Sequence, residues 1–169
     1  MFACKGGVFG PRRRVNHKTG GIMKGLVCKV CGYVALDGKT DICPVCRLKN
    51  VFTEKEDAYK TPDFKAETGE SEKKHIPHIT VIEKCGLIPG SGCIDVHVKV
   101  GEITHPMLAE HHITRIVFYH ENKYIASMDL TAGVNPAAVV HLKEGTKGKI
   151  QVIENCNIHG DWFNETEIK

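Results

Sequence analysis

Short alternating runs of apolar and polar residues fill the second half of the chain. The clearest run is 94–100, where Ile94, Val96, Val98 and Val100 alternate with polar side chains. A period of two residues is typical of a β-strand with one buried face. Similar runs predict strands near 78–84, 112–120, 123–130, 137–142 and 148–154, with turn residues between them. Short strands spaced in this way predict a mainly β protein built on a β-sandwich.

The composition of the chain changes three times along its length. Residues 1–22 are basic and glycine-rich, 23–53 hold four cysteines, and 54–74 are polar and charged. Residues 54–74 have little apolar surface to bury and are predicted to be a linker. Residues 75–169 are predicted to form the sandwich domain, and no helix of convincing periodicity is expected anywhere.

The sequence from Met23 onward resembles the natural start of a protein. A coding sequence for residues 19–22, Thr-Gly-Gly-Ile, can contain AGGAGG, a ribosome-binding sequence. One hypothesis is therefore that Met23 is the physiological start and that 1–22 is a translated leader. The alternative is a disordered basic tail.

Overall composition indicates a soluble globular protein, with 41% apolar and 25% charged residues and no apolar run long enough to span a membrane. The net charge of +3 comes from residues 1–22, which carry five basic residues and no acidic one. The remainder is slightly acidic, which speaks against nucleic-acid binding. No signal peptide is recognisable, so a cytoplasmic location is predicted.

Four of the eight cysteines form two Cys-x-x-Cys pairs. Cys28 and Cys31 make the first pair, and Cys43 and Cys46 follow after eleven intervening residues. Two such turns bring four thiolates to one tetrahedral site, which suits zinc or iron. A metal site is therefore predicted, with its metal left open between these two.

A second set of ligands is distributed over three distant segments. They are His75, His105 and His111 of His-Pro-Met-Leu-Ala-Glu-His, and Cys156 and His159 of Cys-Asn-Ile-His-Gly. Zinc sites normally close at four ligands. Four imidazoles and one thiolate instead suit an iron ion with one position open for a substrate.

These segments resemble the iron-binding motifs of the superoxide reductases, the desulfoferrodoxin and neelaredoxin family, over residues 72–169. The resemblance implies an immunoglobulin-like sandwich and an iron with four histidines in a plane and an axial cysteine. It also implies the one-electron reduction of superoxide to hydrogen peroxide. The family forms dimers and tetramers, so a homo-oligomer is expected.

Residues 28–52 resemble the rubredoxin-like module of rubrerythrins, which holds one redox iron. Iron in this site would relay electrons to the second site, whereas zinc would only stabilise the fold. An external rubredoxin or an NAD(P)H-dependent reductase is the expected electron donor.

Lys74 precedes His75, and the resemblance implies that a lysine here attracts superoxide and organises the water that supplies protons. The family often has Glu-Lys-His, with the glutamate closing the sixth iron position in the oxidised state. This chain has Glu72-Lys73-Lys74-His75. Either Glu72 reaches the iron from a shifted loop, or the iron stays five-coordinate or binds solvent.

Several other candidates are weighed against the ligands. His78 competes with His75, and the His-x-Pro register favours His75. His97 and His112 are expected to point away from the site, and Trp162 and Phe163 to shield the metal and fill the core. Cys85 and Cys93 could form a disulfide or a redox switch, but plain thiols are expected in a reducing compartment.

Three other functions compete with superoxide reduction. An electron carrier would gain from a closed coordination shell, which the open position argues against. A zinc-ribbon module for nucleic acid lacks the basic surface. Superoxide dismutase activity would require the oxidised iron to accept an electron from a second superoxide.

Overall fold

The structure is a computed structural model that describes residues 21–38, 41–63, 69–84, 87–88 and 92–169. It contains ten strands and one short helix in these residues. In chain order they are β1 (Gly21–Cys28), β2 (Val34–Ala35), β3 (Phe52–Thr61), α1 (Glu70–His75), β4 (Pro77–Ile82), β5 (Cys93–Val100), β6 (Ile113–His120), β7 (Lys123–Asp129), β8 (Ala137–Lys143), β9 (Gly148–Cys156) and β10 (Gly160–Ile168). The predicted mainly β fold class is confirmed.

The strands form two sheets. The larger has seven strands in the order β2-β1-β3-β10-β9-β6-β7, and the smaller has three in the order β4-β5-β8. Neighbouring strands are antiparallel except β3 and β10, which pair in parallel through Lys60 and Trp162. This parallel contact connects the cysteine-rich N-terminal segment directly to the sheet that carries Cys156.

The main core lies between the two sheets. The alternating residues of β5 point into it as predicted, because Ile94, Val96, Val98 and Val100 are all buried. Facing them are buried apolar side chains of the larger sheet, namely Ile116, Phe118, Ile150 and Val152. Burying an aliphatic side chain of this size contributes about 1.5–3 kcal/mol, so this layer is the main source of stability for the sandwich.

A second core joins the N-terminal segment to the other face of the larger sheet. Tyr33 stacks on Tyr119 with ring centroids 5.8 Å apart. The Tyr119 hydroxyl donates a hydrogen bond of 2.8 Å to the backbone carbonyl of Val34. Ile153 and Phe163 belong to the same buried cluster. The cysteine-rich module is therefore packed on the sandwich through apolar contacts and a buried hydrogen bond.

Parts of the observed structure differ from the prediction. The first part of the predicted linker, up to Thr61, lies in β3, because β1 offers it a hydrogen-bonding edge along seven paired positions. Residues 64–68 of that linker lie outside the described residues, as does most of the predicted leader or tail 1–22. A six-residue helix, α1, forms where none was expected, and β10 was not predicted.

No helix in the described part of the chain has the length and apolar content needed to cross a membrane.

Candidate metal centres

His75 is the last residue of α1 and is almost completely buried. Its Nδ1 atom lies 2.6 Å from the backbone carbonyl of Ser71, one helical turn earlier. Because a carbonyl only accepts hydrogen bonds, Nδ1 must donate, which leaves the Nε2 lone pair free for a metal.

His105 lies in the connection between β5 and β6. Its Nδ1 atom is 2.6 Å from the carbonyl of Pro106, so its Nε2 is also left as an acceptor. Gly101 begins this connection at a φ of 82°, and a Cβ there would lie 2.6 Å from the carbonyl oxygen of Lys74. Only glycine allows this close approach, which holds the His105 loop against the helix that carries His75.

Cys156 and His159 lie at the turn between β9 and β10. Cys156 ends β9, and its Sγ is 3.5 Å from Nδ1 of His159. Asn157 ties this turn to the loop of His111, since its Oδ1 accepts from the backbone N–H of His112 at 3.0 Å and its Nδ2 donates to the carbonyl of Glu110 at 3.0 Å. Asn157 is thus a supporting residue whose only sequence signal is its place inside the Cys-Asn-Ile-His-Gly motif.

The structure brings all five predicted ligands of the second set together. One ligand atom from each of them lies within 4.8 Å of all the others: His75, His105, His111, Cys156 and His159. The Nε2 atoms of His75 and His105 are 3.2 Å apart. Nε2 of His111 is buried and has no hydrogen-bond partner among the described residues. Converging lone pairs of this kind repel each other unless a cation lies between them, so the donor set fits a metal ion.

Burial also prepares these imidazoles for a metal. Desolvation is the main reason why the pKa of His75 and that of His105 are each lowered to about 4. Histidine binds metals in its neutral form. Near neutral pH both rings are therefore unprotonated before any metal arrives.

Trp162 and Lys60 cover one side of the cluster. The indole stacks on His75 with centroids 5.1 Å apart and an interplanar angle of 16°. The Lys60 ammonium lies 4.8 Å from the centre of the Trp162 ring and donates to the carbonyl of His159 at 2.9 Å. The position of Trp162 agrees with its expected shielding role, whereas Lys60 falls in the predicted linker and gave no signal in the sequence.

Glu154 is a buried carboxyl that sequence reasoning missed. It pairs with Trp162 across the β9–β10 ladder and lies two residues before Cys156. Neither carboxylate oxygen has a hydrogen-bond partner among the described residues. Burial first, and then the charge of Cys156, raises the pKa of Glu154 well above its usual range. Nothing in the alternating pattern of β9 distinguishes this glutamate from an exposed one.

Lys74 and Glu72 have partners close by on α1. The Lys74 ammonium lies 2.6 Å from a carboxylate oxygen of Glu70, as an i,i+4 ion pair. Glu72 accepts a hydrogen bond from the backbone N–H of Gly69 and so caps the start of the helix. In this structure Glu72 is therefore directed to the helix terminus and not to the ligand cluster.

The alternative histidines lie apart from the five ligands. His78 and His97 are exposed on the smaller sheet, and His112 hydrogen-bonds to the carbonyl of Leu108 at 3.0 Å. Cys93 forms a disulfide bond, so the expectation of a plain thiol at this position is wrong. Cys85 lies outside the described residues.

The four cysteines of the first set also converge. Cys28 and Cys46 have sulfurs 3.7 Å apart, and Cys31 and Cys43 have sulfurs 3.5 Å apart. A tetrahedral ion with metal–sulfur bonds of about 2.3 Å separates its sulfurs by about 3.8 Å, so this spacing fits a metal. Burial favours the neutral thiol of Cys28, but backbone N–H groups of Cys31 and Val30 outweigh it and lower the pKa to about 7.

Together, the fold and the two ligand clusters define a β-sandwich protein with two candidate metal centres, one rich in histidine and one made of cysteine. The family model for desulfoferrodoxin matches residues 67–165, and the chain belongs to this family.

Named relatives point in the same direction. A superoxide reductase of Pyrococcus abyssi is 32% identical over 124 residues, covering 67% of this chain and 97% of that protein. A superoxide reductase of Thermococcus kodakarensis is 32% identical over 121 residues, covering 65% and 95%. Among solved structures, the superoxide reductase (neelaredoxin) of Ignicoccus hospitalis aligns with a TM-score of 0.50 and 30% identity, covering 64% of this chain and 91% of that one.

Proposed function

We propose that this protein is a superoxide reductase. It would reduce superoxide by one electron to hydrogen peroxide at an iron held by His75, His105, His111, His159 and Cys156. The observation that carries the proposal is the convergence of these five ligand atoms within 4.8 Å in a chain of the desulfoferrodoxin family. Five protein ligands leave one position of a six-coordinate ion open for a small anion.

The iron would supply the electron and a binding position for the substrate. The protein's own part is to fix the ligands before the metal binds. Hydrogen bonds from Nδ1 of His75 and of His105 to backbone carbonyls hold each ring so that Nε2 faces the cluster. These second-layer bonds fix the tautomer and make the ligand nitrogen more basic.

Superoxide is an anion, and its reduction consumes two protons. Lys74 is the proposed residue for attracting it, because its ammonium lies on the helix that ends at His75 and is about one-third exposed. Glu70 neutralises part of this charge through the ion pair. Lys74 therefore acts as a partly compensated cation next to the site, and solvent supplies the protons.

The four cysteines Cys28, Cys31, Cys43 and Cys46 would hold a second iron that passes electrons to the first. The proposed module comprises residues 23–53 and the superoxide-reducing domain residues 75–169, and the connection 54–74 between them includes the rest of β3. Zinc remains the alternative for the cysteine site, in which case this site would be structural. A rubredoxin or an NAD(P)H-dependent reductase is the proposed external donor, and a cytoplasmic homo-oligomer is the proposed form.

The test is to mix superoxide with the fully reduced protein and to measure hydrogen peroxide and oxygen. A reductase yields one peroxide for each superoxide consumed and releases no oxygen. A dismutase yields half as much peroxide and an equal amount of oxygen. If no fast peroxide-yielding reaction occurs, the protein is an electron carrier and the proposal is wrong.

A further inference from the structure

Arg115 reaches from the sandwich to the cysteine site. It lies on β6, but its Nη1 donates a hydrogen bond of 2.8 Å to the backbone carbonyl of Cys31. Its Nε donates to the carboxylate of Asp129, its cross-strand neighbour on β7. The side chain is only 21% exposed, so this cation is largely withdrawn from water.

The guanidinium is held at the cysteine site by its hydrogen bond to the backbone carbonyl of Cys31. An arginine guanidinium does not lose its proton in proteins, so its charge is fixed whatever the state of Cys31. Arg115 is therefore permanently charged beside the backbone of one of the four proposed cysteine ligands. A fixed charge in contact with a ligand residue acts on any change of charge at the metal.

The backbone of Arg115 faces the other metal site. Arg115 pairs with Asn155 on β9, and the next residue along β9 is Cys156. Thr114 strengthens the same contact, because its hydroxyl donates to the side-chain oxygen of Asn155 at 2.6 Å. The side chain of Arg115 thus contacts one proposed ligand, while its backbone pairs with the neighbour of another.

We propose that Arg115 sets the reduction potential of the metal in the four-cysteine site. This role rests on the proposed function, in which that site holds iron. Reduction adds one negative charge to an ion already surrounded by four thiolates, and a cation beside Cys31 stabilises that charge. Arg115 would therefore raise the potential of the cysteine site, and so reduce the driving force with which its electron moves to the iron near Cys156.

The electron balance of this transfer is simple. With iron in both sites, the ferrous iron held by the cysteines would lose one electron, the ferric iron held by the histidines and Cys156 would gain it, and the external donor would replace the electron lost. A cavity of about 260 Å³ lined in part by Cys31, Arg115 and Asp129 adjoins this contact. Because solvent in this cavity would screen the charge, a moderate effect is expected.

The experiment is an optical redox titration of the iron-loaded, full-length protein, following the cysteine-site absorption. Arg115→Met removes the charge, and Arg115→Lys keeps it. Lys149→Met is the matched control, because Lys149 is also paired with a carboxylate, Glu165, but lies at the opposite end of β9 from Cys156. The quantity measured is the midpoint potential of the cysteine site, and this measurement does not require superoxide.

Removing the charge should lower the equilibrium constant for reduction about threefold to tenfold, which is about 28–59 mV at 59 mV per tenfold. Arg115→Lys and Lys149→Met should stay within threefold of the wild type. A change smaller than threefold in Arg115→Met, or an equal change in Lys149→Met, would overturn the inference.

Asp129→Asn should shift the midpoint potential of the cysteine site in the opposite direction. This variant also tests the proposal if Arg115→Met does not fold. It removes the countercharge of Arg115, so the midpoint should rise. A purely structural role would not move the midpoint potentials of the two variants in opposite directions, and a lower midpoint in Asp129→Asn would overturn the inference.

If the potentials move as expected but superoxide yields no peroxide, the proposed function fails while the role of Arg115 stands. A cysteine site that accepts no iron would overturn both the relay and this role.

Discussion

Nε2 of His75 and Nε2 of His105 face each other at 3.2 Å, and the Nδ1 atom of each ring is bound to a backbone carbonyl. Neither nitrogen of this close pair therefore carries a proton, and the contact is repulsive in the absence of a cation. The site is preformed for a metal at a cost to the stability of the metal-free protein.

This cost should depend on pH. Burial lowers the pKa of His75 and of His105 from 6.5 to about 4. Between these values these two rings bind more protons in the unfolded chain than in the folded one, so their contribution to stability falls as the pH falls through this window and is constant above it. Urea unfolding of the metal-free protein measures this contribution as the loss of midpoint between about pH 7 and about pH 5 that the wild type shows relative to His105→Gln. His105→Gln should show a smaller loss, and an equal loss in both proteins would contradict the assignment.

Replacing Cys156 by serine should remove the sulfur-to-iron charge-transfer absorption of the oxidised site. Loss of outer partners of a metal ligand typically costs about 10–100-fold in activity, so loss of the ligand itself should cost at least about 100-fold. Visible spectroscopy and the rate of reaction with superoxide check this. Absorption of iron in the cysteine site is an internal control and should remain. A spectrum identical to that of the wild type would exclude Cys156 as a ligand.

The ion pair of Lys74 and Glu70 allows the proposed attraction of superoxide by Lys74 to be both weakened and strengthened by mutation. Lys74→Ala should slow the encounter with superoxide by about twofold to tenfold and weaken its dependence on ionic strength. Glu70→Gln should speed it, since the countercharge is lost. Lys73→Ala is the matched control, one residue away. Equal slowing in Lys73→Ala and Lys74→Ala would indicate general charge and no special role for Lys74.

The hydrogen bond from Tyr119 to the carbonyl of Val34 connects the two parts of the molecule. Tyr119→Phe should lower the free energy of unfolding by about 1 kcal/mol, because a buried carbonyl loses its partner. Tyr124→Phe is the control, since Tyr124 is half-buried and its hydroxyl hydrogen-bonds to the side chain of Ser127 at 3.1 Å and not to a backbone carbonyl. Chemical denaturation measures both, and equal losses would show that the Val34 contact carries no particular stability.

The sequence was most informative where a local pattern determines the outcome. The alternation from Ile94 to Val100 predicted β5 and its buried face, and the spacing of the two Cys-x-x-Cys pairs predicted the cysteine cluster. These signals are local because strand periodicity and short metal-binding turns are properties of neighbouring residues.

Contacts between distant segments could not be predicted in this way. The charged residues of β3 suggested a linker, but β1 and β10 provide partners for its backbone. Lys60 then reaches the carbonyl of His159, which is 99 residues away in the chain. Glu72 raised the question of a sixth ligand, and its use as a helix cap depends on the position where α1 begins. The burial of Glu154 depends on the strands that surround β9 and could not be predicted from its own segment.

The most direct test of the whole account is a crystal structure of the reduced, iron-loaded protein with data collected at the iron absorption edge. We expect one iron bound by His75, His105, His111, His159 and Cys156, with the sixth position open or occupied by solvent. An iron bound by other residues, or one whose sixth position is closed by a protein side chain in the reduced state, would contradict the proposed superoxide-reducing site.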